Sequence, residues 1–570
     1  MTAVQTPANA PNVILILTDD QGYGDVSLHG NPVIETVHMD RLAQEGVRFE
    51  QFHVTAMCSP TRAALLTGRS SLENGVISTC QGLHTLREGF PTLPEALQAG
   101  GYTTGIFGKW HLGRNWPNRP VDRGFDENFV LYGFGTTGIS SRWNNDYVET
   151  WVEHNGVEMQ APGFCTDAIF DAAMTWIDER AKAPEPFFAY ISTNAPHFPF
   201  WAPEAWTEPF RDTDNPEFFA MLKNLDDNLG RLLAFLEERE LAEDTIVMFL
   251  SDNGPVGGKS TFNAGMTGGK ATPWEGGHRV PLFIRYPAGG LTDGRVVEGL
   301  ADVTDLFPTL LALTGVDAPK TANLTGENLV PAMLGEGDIP TRTLVMQIQQ
   351  HNLDPQMAAV MHGPWRILWA DTLYNIEADL AQQNKVEREH PDVFVDLWSD
   401  YKSYYYEHRE TASTPPGEII GSPHQPVVVL DGSNWVGGPR GDGQQNVREA
   451  TDRRTPPEGA PWKVLAHTAG EYRITLRRWP VESGLALDAG CPPFETRLSG
   501  KPLPAGRALP IDHATLDIDH QRFTASVEDD PTAITVIADL GQGAHRLHGI
   551  FRDAEGQPLC GSFYAYIEKL

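Results

Sequence analysis

Cysteine is scarce in this chain, and long apolar runs are missing. The 570 residues contain five cysteines. Their odd number, their wide spacing and the lack of any C-x-x-C pair argue against a disulfide framework or a thiolate zinc site. No apolar run approaches the roughly 20 residues needed to cross a bilayer, and the longest near the start covers only residues 13–17. We therefore predict no membrane-spanning segment and no structure that depends on disulfide bonds.

Basic residues are outnumbered, with 43 Lys and Arg against 75 Asp and Glu and a formal net charge of −32. This surplus of negative charge makes nucleic acid and anionic membranes poor partners, and an anionic substrate would need a local cluster of cations. The opening residues, MTAVQTPANAPN, have neither a basic segment nor a signal-type apolar core. We therefore expect a cytoplasmic protein.

Residues 1–412 predict an α/β domain. Continuous apolar runs typical of strands buried on both faces occupy residues 13–17, 186–191 and 245–250. Leucines at helical spacing fill residues 219–241. Strands that alternate with helices favour a mainly parallel sheet with helices on both sides. We place a small subdomain at the end of this domain, in residues 340–412.

The residue composition and the hydrophobic pattern change after residue 412. Residues 413–426 are rich in proline, glycine and serine and predict a linker. Beyond them, short alternating runs separated by turn residues indicate an antiparallel β-sandwich. We therefore predict a second, all-β domain at residues 427–570, with packing or homo-oligomer assembly as its main role.

Two of the predicted buried strands end in oxygen-bearing side chains. Asp19 and Asp20 follow the first strand, and Asp252 and Asn253 follow the strand at residues 245–250. Ligands collect outside the carboxyl ends of parallel strands, and carboxylate and amide oxygens suit a hard cation such as Ca²⁺ or Mg²⁺. The alternative is ordinary helix capping and turn formation by Asp and Asn.

Cys58 differs from the other four cysteines, which we interpret as small buried hydrophobes. It opens the segment Cys-Ser-Pro-Thr-Arg, and an apolar helical run starts directly after Arg62. Its side chain is therefore expected near a helix N-terminus, where anions bind. An unmodified cysteine at such a position could be a thiolate nucleophile, although no Cys–His catalytic signature surrounds it.

The segment from Cys58 to Arg69 resembles the signature of the sulfatase family, which belongs to the alkaline phosphatase superfamily. That signature is C-x-P-x-R followed by T-G-R. The resemblance implies an alkaline-phosphatase-like fold and the oxidation of Cys58 to formylglycine, an aldehyde, by a formylglycine-generating enzyme. The cysteine would then be the precursor of a carbonyl group rather than a thiol catalyst.

Further segments resemble this family in the same order along the chain. They are residues 12–25 (NVILILTDDQGYGD), 40–49 (DRLAQEGVRF), 108–113 (GKWHLG), 195–200 (APHFPF), 251–254 (SDNG), 269–277 (GKATPWEGG) and 373–376 (LYNI). The resemblance implies that Lys109, His111 and Lys270 face the sulfate group. Lys259 is a rival for the last of these roles but lacks the E-G-G sequence downstream. Asn375 replaces the Asp of the family's L-Y-D-L segment, and we attach no catalytic meaning to it.

The family's activity, carried over to this chain, is the hydrolysis of sulfate monoesters of the arylsulfatase type. A small sulfated molecule would be the substrate, and Ca²⁺ is the family's metal, with Mg²⁺ also compatible with the ligands. The resemblance implies that the metal is held by Asp19, Asp20, Cys58 (as formylglycine), Asp252 and Asn253. Arg62, Lys109 and Lys270 would neutralise the sulfuryl oxygens as charge moves.

The same resemblance assigns the proton transfers. One hydroxyl of hydrated formylglycine attacks sulfur, and Asp252 takes its proton. His197, with Lys270, protonates the departing oxygen, and His111 is the base that releases sulfate and restores the aldehyde. Lys109 and His111 are two residues apart, so on an extended segment both would point to the same side.

Two alternatives stay open. A phosphonate monoester or phosphodiester hydrolase of the same superfamily can share the formylglycine signature, but such enzymes tend to carry His where this chain has Asn253. A carbohydrate-binding protein is the alternative of another class, with Trp435, Trp462 and Trp479 stacking on sugars, although aromatics in short strands more often form a core. Further tryptophans lie in loops that would rim a pocket: Trp143, Trp151, Trp201, Trp206 and Trp274.

Overall fold

The computed structural model describes residues 10–348, 353–450, 458–527 and 530–570. Within these ranges, no helix combines the length and the apolar character that a bilayer crossing requires. The chain builds a large α/β unit, a small four-stranded sheet beside it, and a pair of β-sheets made from residues 418–569.

A ten-stranded sheet is the framework of the α/β unit. Its strands are β1 Asn12–Thr18, β2 Val47–His53, β3 Thr103–Lys109, β4 Glu127–Leu131, β5 Trp151–His154, β6 Val157–Gln160, β7 Phe187–Ser192, β8 Thr245–Ser251, β9 Leu282–Arg285 and β10 Arg295–Asp302. The order across the sheet is β10-β2-β9-β8-β1-β7-β3-β4-β5-β6. The central strands β8, β1, β7, β3 and β4 are parallel, which confirms the predicted mainly parallel sheet.

Helices cover both faces of this sheet. They are α1 Val37–Gln44, α2 Cys58–Thr67, α3 Ser71–Asn74, α4 Leu93–Ala99, α5 Cys165–Arg180, α6 Glu204–Thr207, α7 Pro216–Glu238, α8 Glu275–His278, α9 Leu306–Thr314 and α10 Val330–Leu334. Because successive strand side chains point to opposite faces, Ile14 and Ile16 of β1 pack with α1, α5 and α7. Val13 and Leu15 pack with α2, α4 and α9 on the other face.

The predicted small subdomain is an antiparallel sheet backed by a long helix. Its strands are β11 Leu344–Gln347, β12 Ala358–His362, β13 Trp365–Leu368 and β14 Thr372–Asn375, and the helix is α11 Pro391–Ser413. Ala358 and Val360 of β12 pack against Leu397 and Tyr401 of α11. The opposite face of the sheet, with Ala359 and Met361, packs near Met57, next to the first residue of α2.

Two sheets form the C-terminal β part. The strands are β15 Glu418–Ile420, β16 Val427–Asp431, β17 Trp462–Ala466, β18 Gly470–Arg477, β19 His513–Ile518, β20 Gln521–Ser526, β21 Ile534–Leu540, β22 Gly543–Arg552, β23 Pro558–Gly561 and β24 Tyr564–Lys569, with the helix α12 Gln444–Glu449. One sheet runs β15-β17-β22-β19-β20, with β23 beside β22, and the other runs β16-β24-β18-β21. They share one apolar core.

Two expectations about this β part need correction. Residues 413–426 are not only a linker, because β15 lies within them and pairs in parallel with β17. Trp435, Trp462 and Trp479 are each at most 2% exposed, since the core needs their large apolar surface. None of these three rings can stack on a sugar from solvent.

The β part packs directly on the α/β unit. Ile139 of the α/β unit belongs to the core of the β part, and the rings of Trp143 and Trp479 lie 5.2 Å apart. Glu418 of β15 is buried and accepts a hydrogen bond of 3.0 Å from Asn115. These buried contacts join the two parts along a continuous interface.

Candidate active site

The predicted oxygen cluster lies where β1 and β8 end. The two strands are neighbours, with Thr18 opposite Ser251, so the residues that follow them meet. The backbone N–H of Asp20 donates to Asp252 Oδ1 at 3.3 Å, and the Asn253 amide donates to Asp20 Oδ1 at 2.8 Å. All of these side chains are buried.

Cys58 is the first residue of α2, and its thiol faces this cluster. The chain is extended at Met57 and helical from Cys58 onward. Lys270 Nζ lies 3.1 Å from Cys58 Sγ and 2.5 Å from Asp20 Oδ1. Ligand atoms of Cys58, Asp19, Asp20 and His197 all lie within 4.8 Å of one another. Residue 58 is therefore next to two acidic strand ends that are distant in sequence.

The donor set fits a hard cation. Asp19 Oδ1, Asp20 Oδ2 and Asn253 Oδ1 are buried oxygens that no described protein group satisfies. Leaving such oxygens without a partner is costly, and a bound cation would satisfy all three. Both oxygens of Asp252 already accept hydrogen bonds, so Asp252 differs from the other predicted metal ligands. His197, which the sequence did not predict as a ligand, lies in the same group.

Two buried cations balance these carboxylates on the side of α2. Arg62 donates to Asp252 Oδ2 from Nε at 3.1 Å and from Nη2 at 2.7 Å, and also to the hydroxyl of Ser192. Lys109 Nζ lies 2.6 Å from Asp19 Oδ2. Burial opposes the charged guanidinium, but Asp252 above all raises the pKa of Arg62 beyond its usual value.

Counting Lys270, three cations face the three carboxylates of Asp19, Asp20 and Asp252. Without any bound ion the cluster is therefore close to neutral. A divalent cation would make it positive by two charges, which offsets the chain's negative surplus locally and suits an anionic substrate. Lys259, the rival lysine, is exposed, whereas Lys270 contacts both Asp20 and Cys58.

His111 follows β3 in a bend rather than on an extended strand. Lys109 ends β3, and His111 has a left-handed backbone with φ 58°, so the predicted extended geometry is wrong. Its Nε2 lies 3.2 Å from the carbonyl of Thr79. Because a carbonyl can only accept, Nε2 carries the proton. Nδ1, buried and without a partner among the described residues, is left as a proton acceptor.

His197 is held in the opposite tautomer. Its Nδ1 donates to the carbonyl of Phe198 at 2.6 Å, and its Nε2 lies 3.6 Å from Asp20 Oδ2. Burial lowers the pKa of His197 to about 3. The neutral ring therefore has no proton on Nε2. Lys270 differs, because burial opposes its charge but Asp20 and its other neighbours outweigh burial and raise its pKa, so the ammonium stays protonated.

The remaining ionisable groups show what an unmodified site can do. Burial raises the pKa of the Cys58 thiol to about 11, so the cysteine is neutral near pH 7 and the thiolate interpretation is disfavoured. Burial and the charge of Asp19 raise the pKa of Asp252 to about 6. Burial opposes ionisation of Asp20, but its neighbours His197, Lys270 and Asn253 outweigh burial and lower its pKa to about 2.

One contributor from the β part was missed by the sequence. Arg440 donates from Nη2 to the Thr79 hydroxyl at 3.1 Å, and Asp442 holds its guanidinium at 2.6 Å. Arg440 lies in a G-G-P-R-G-D-G turn nearly four hundred residues after Cys58, and only that turn-rich composition marked it.

Comparisons with known proteins agree with this geometry. The sequence model of the Sulfatase family matches residues 11–316. The chain is 35% identical over 349 residues to N-acetylgalactosamine-6-sulfatase of Homo sapiens, which covers 57% of this chain and 66% of that protein, just under two thirds. It is 32% identical over 384 residues to arylsulfatase A of Homo sapiens, covering 59% and 70%.

Solved structures share the fold. The structure of Ps i-CgsB in complex with k-i-k-neocarrahexaose aligns with a TM-score of 0.65 and 27% identity, over 71% of this chain and 94% of that one. A phosphonate monoester hydrolase of Agrobacterium radiobacter aligns with a TM-score of 0.53 and 22% identity, over 70% and 96%. The second likeness concerns the fold alone. With a family model that matches more than half of its residues, the chain belongs to the sulfatase family.

Proposed function

We propose that the protein hydrolyses sulfate monoesters to an alcohol or phenol and inorganic sulfate. The observation that carries this proposal is the position of residue 58, with its side chain in contact with Lys270 and beside Asp19 and Asp20. The sulfatase relatives support the same reaction. A formylglycine-generating enzyme is the partner that the proposal requires during maturation.

The site would use two groups that the chain itself does not encode. Asp19, Asp20 and Asn253 supply oxygens for a divalent cation, for which we propose Ca²⁺, and His197 and residue 58 complete the surroundings. Such a cation supplies Lewis-acid polarisation of the sulfate ester, and formylglycine at residue 58 supplies the hydrated aldehyde as nucleophile.

Arg62, Lys109 and Lys270 bind and orient the sulfate group. In this proposal their fixed positive charges, held by Asp252, Asp19 and Asp20, stabilise the negative charge that grows on the sulfuryl oxygens. Because these groups are already ordered, they need no reorganisation during the reaction. Each donor of this kind is worth about 3 kcal/mol of transition-state stabilisation.

Proton transfers fall to three side chains. Asp252 accepts the proton of the attacking hydroxyl, and His111 Nδ1 is the acceptor for the step that releases sulfate. Lys270 carries a proton and contacts residue 58, so it is the donor to the leaving oxygen that needs no change of tautomer. His197 would first have to be protonated on Nε2, because its Nδ1 proton is held by Phe198.

The test has two measurements. Mass spectrometry of the peptide that contains residue 58 should show conversion of the thiol to an aldehyde. The oxidised protein should then release sulfate from 4-nitrophenyl sulfate faster than it cleaves a phenylphosphonate monoester. Faster cleavage of the phosphonate would replace our proposal with the phosphonate hydrolase alternative, which the superfamily fold permits.

A further inference from the structure

Two buried histidines share a narrow cavity beside the candidate active site. The cavity has a volume of about 10 Å³, and both His84 and His111 line it. The rest of its lining includes Thr79 of the α/β unit and Asp442 of the β part. One water molecule needs a volume of about 10–15 Å³ and a few polar partners. The cavity therefore has the size and the polar walls of a single water site.

His84 and His111 each leave one ring nitrogen without a partner. The Nδ1 atoms of both rings are buried, and no described protein group forms a hydrogen bond with either. The ring centroids lie 6.1 Å apart, so the two rings are neighbours that do not bond directly through these nitrogens. Leaving a buried nitrogen unsatisfied is costly. One water between the rings would satisfy both, because a water molecule can donate two hydrogen bonds.

The surrounding charges set a direction for a proton in this cavity. Burial, together with the positive charge of Lys109 and other neighbours, holds the pKa of His111 well below its usual value. Burial also lowers the pKa of His84, but the carboxylates of Asp431 and Asp442 oppose that effect. Cations therefore disfavour a proton on His111, whereas carboxylates favour one on His84.

The narrow cavity has a wider neighbour. Arg114 and Tyr132 line the narrow cavity and also line a second cavity of about 500 Å³ between the α/β unit and the β part. Glu153 and Gln425 add further polar groups to the wider cavity, and the phenol of Tyr132 donates to Glu153 at 2.8 Å. Polar walls of this kind hold water. A proton that leaves the narrow cavity can therefore reach solvent through water molecules.

We propose that His84 is a proton relay for His111 and that one water molecule joins the two rings. The proposal rests on the proposed function, in which His111 Nδ1 takes the hydroxyl proton of residue 58 as sulfate leaves. In that step an O–H bond breaks and an N–H bond forms. His111 then gives the proton to the water, which passes one of its own protons to His84 Nδ1.

This transfer returns His111 and the water to their starting states, and His84 gives its extra proton to water in the wider cavity. His84 does not touch the substrate and acts only through His111. Asp442 comes from the β part, so the proposal assigns to that part a role in turnover in addition to packing or assembly.

The kinetics of His84→Gln test the relay. Glutamine keeps a polar side chain in the cavity, but it cannot accept and release a proton near pH 7. We expect kcat for 4-nitrophenyl sulfate to fall by about tenfold, with KM changed by less than about twofold. Because only sulfate release is slowed, 4-nitrophenol should appear in a burst followed by a slower steady rate. His520→Gln, at an exposed histidine outside the cavity, is the matched control.

His84→Ala with added imidazole gives a second measurement. Free imidazole can replace a lost proton acceptor, but it cannot replace a lost packing contact. We expect imidazole to restore part of the kcat of His84→Ala and to leave that of His520→Gln unchanged. An unchanged kcat in His84→Gln overturns the relay. A loss of kcat in both His84 variants, without a burst and without rescue, also overturns it, because His84 would then have only a structural role.

A high-resolution crystal structure of the wild type separates this proposal from the proposed function. We expect a water within about 2.7–3.2 Å of the Nδ1 atoms of both His84 and His111. If this water is present but the oxidised protein cleaves no sulfate ester, the hydrolase proposal fails and the water bridge stands. If the oxidised protein is active and no water joins the two rings, the relay is wrong and the hydrolase proposal stands.

Discussion

The ammonium of Lys270 lies 3.1 Å from the sulfur of Cys58 and is shared with Asp20. This contact brings together three segments of the chain: the end of β1, the start of α2 and the loop before α8. Any group that replaces the thiol at residue 58 will meet the same ammonium and the same carboxylate. The consequences can be tested residue by residue.

Replacing Cys58 by serine should abolish turnover without unfolding the protein. Serine is close in size to cysteine, but it cannot be oxidised to formylglycine, and a sulfated serine has no route to release sulfate. We expect 4-nitrophenyl sulfate hydrolysis to fall by at least about 10²-fold, with the melting temperature within a few degrees of wild type. Cys491→Ser, at a half-buried cysteine outside the site, is the control. Full activity of Cys58→Ser would rule out the formylglycine scheme.

Removing the cation should cost both activity and stability. The oxygens of Asp19, Asp20 and Asn253 that no described protein group satisfies would become ligands of the bound ion. At an ion concentration about 100 times its Kd, binding adds about 2.7 kcal/mol to the free energy of unfolding. Calcium added after EDTA treatment should therefore raise the melting temperature and restore turnover.

Asp20→Ala should remove the calcium effect on melting temperature. Asp227→Ala changes an exposed aspartate in a different acidic group and should preserve it. If added calcium leaves the melting temperature of the wild type unchanged, the prediction of a stabilising ion at this site is wrong.

Arg440 acts through Thr79, so we treat it as a positioning residue. It holds the Thr79 hydroxyl, and the Thr79 carbonyl fixes the tautomer of His111. Arg440→Ala should lower kcat by about tenfold with a smaller change in KM, and Arg440→Lys should recover part of the loss. Arg473→Ala removes an exposed ion pair with Glu568 and serves as control. An unchanged kcat in Arg440→Ala would show that Arg440 does not position His111 through Thr79.

The buried ion pair between Arg366 and Glu275 joins the small sheet to α8, five residues after Lys270. Arg366 Nε lies 2.6 Å from Glu275 Oε1, and both side chains are fully buried. Breaking such a pair leaves an uncompensated buried charge, so Arg366→Met should cost about 3–5 kcal/mol in urea unfolding. Arg366→Met/Glu275→Gln should be less destabilised than the single variant. Arg522→Ala, from an exposed pair, should cost less than about 1 kcal/mol.

The same pair predicts a direction of pH dependence. Burial raises the pKa of Glu275, but the charge of Arg366 outweighs it and holds that pKa well below its usual value of 4.5. A carboxyl with a lowered folded-state pKa contributes stability that is complete above about pH 4.5 and is lost on further acidification. The urea concentration at the unfolding midpoint of the wild type should therefore decrease as the pH is lowered below about 4.5. Arg366→Met should lose much of that dependence, and an identical acid slope would argue against the assignment.

The sequence predicted the mainly parallel sheet, and it located the carboxylates at the ends of two strands, because these signals are local. Residues 13–17 and 245–250 are apolar on both faces, and Asp19 and Asp252 follow them. Because the two strands are parallel neighbours, these two carboxylates lie at the same edge of the sheet. Arg440 gave no such signal, because its contact with Thr79 depends on how the β part packs on the α/β unit. The bend at His111 was also missed, because only a few per cent of residues other than glycine have a positive φ.

Glu418 has a consequence for how the molecule could be divided. It is buried in β15, and it accepts hydrogen bonds from Asn115 of the α/β unit and from Asn434 of the β part. Separating the α/β unit from the β part would therefore expose this carboxylate and its amide partners to solvent. We therefore expect both parts to unfold in a single calorimetric transition. Neither part should fold independently when it is expressed alone or fused to another protein.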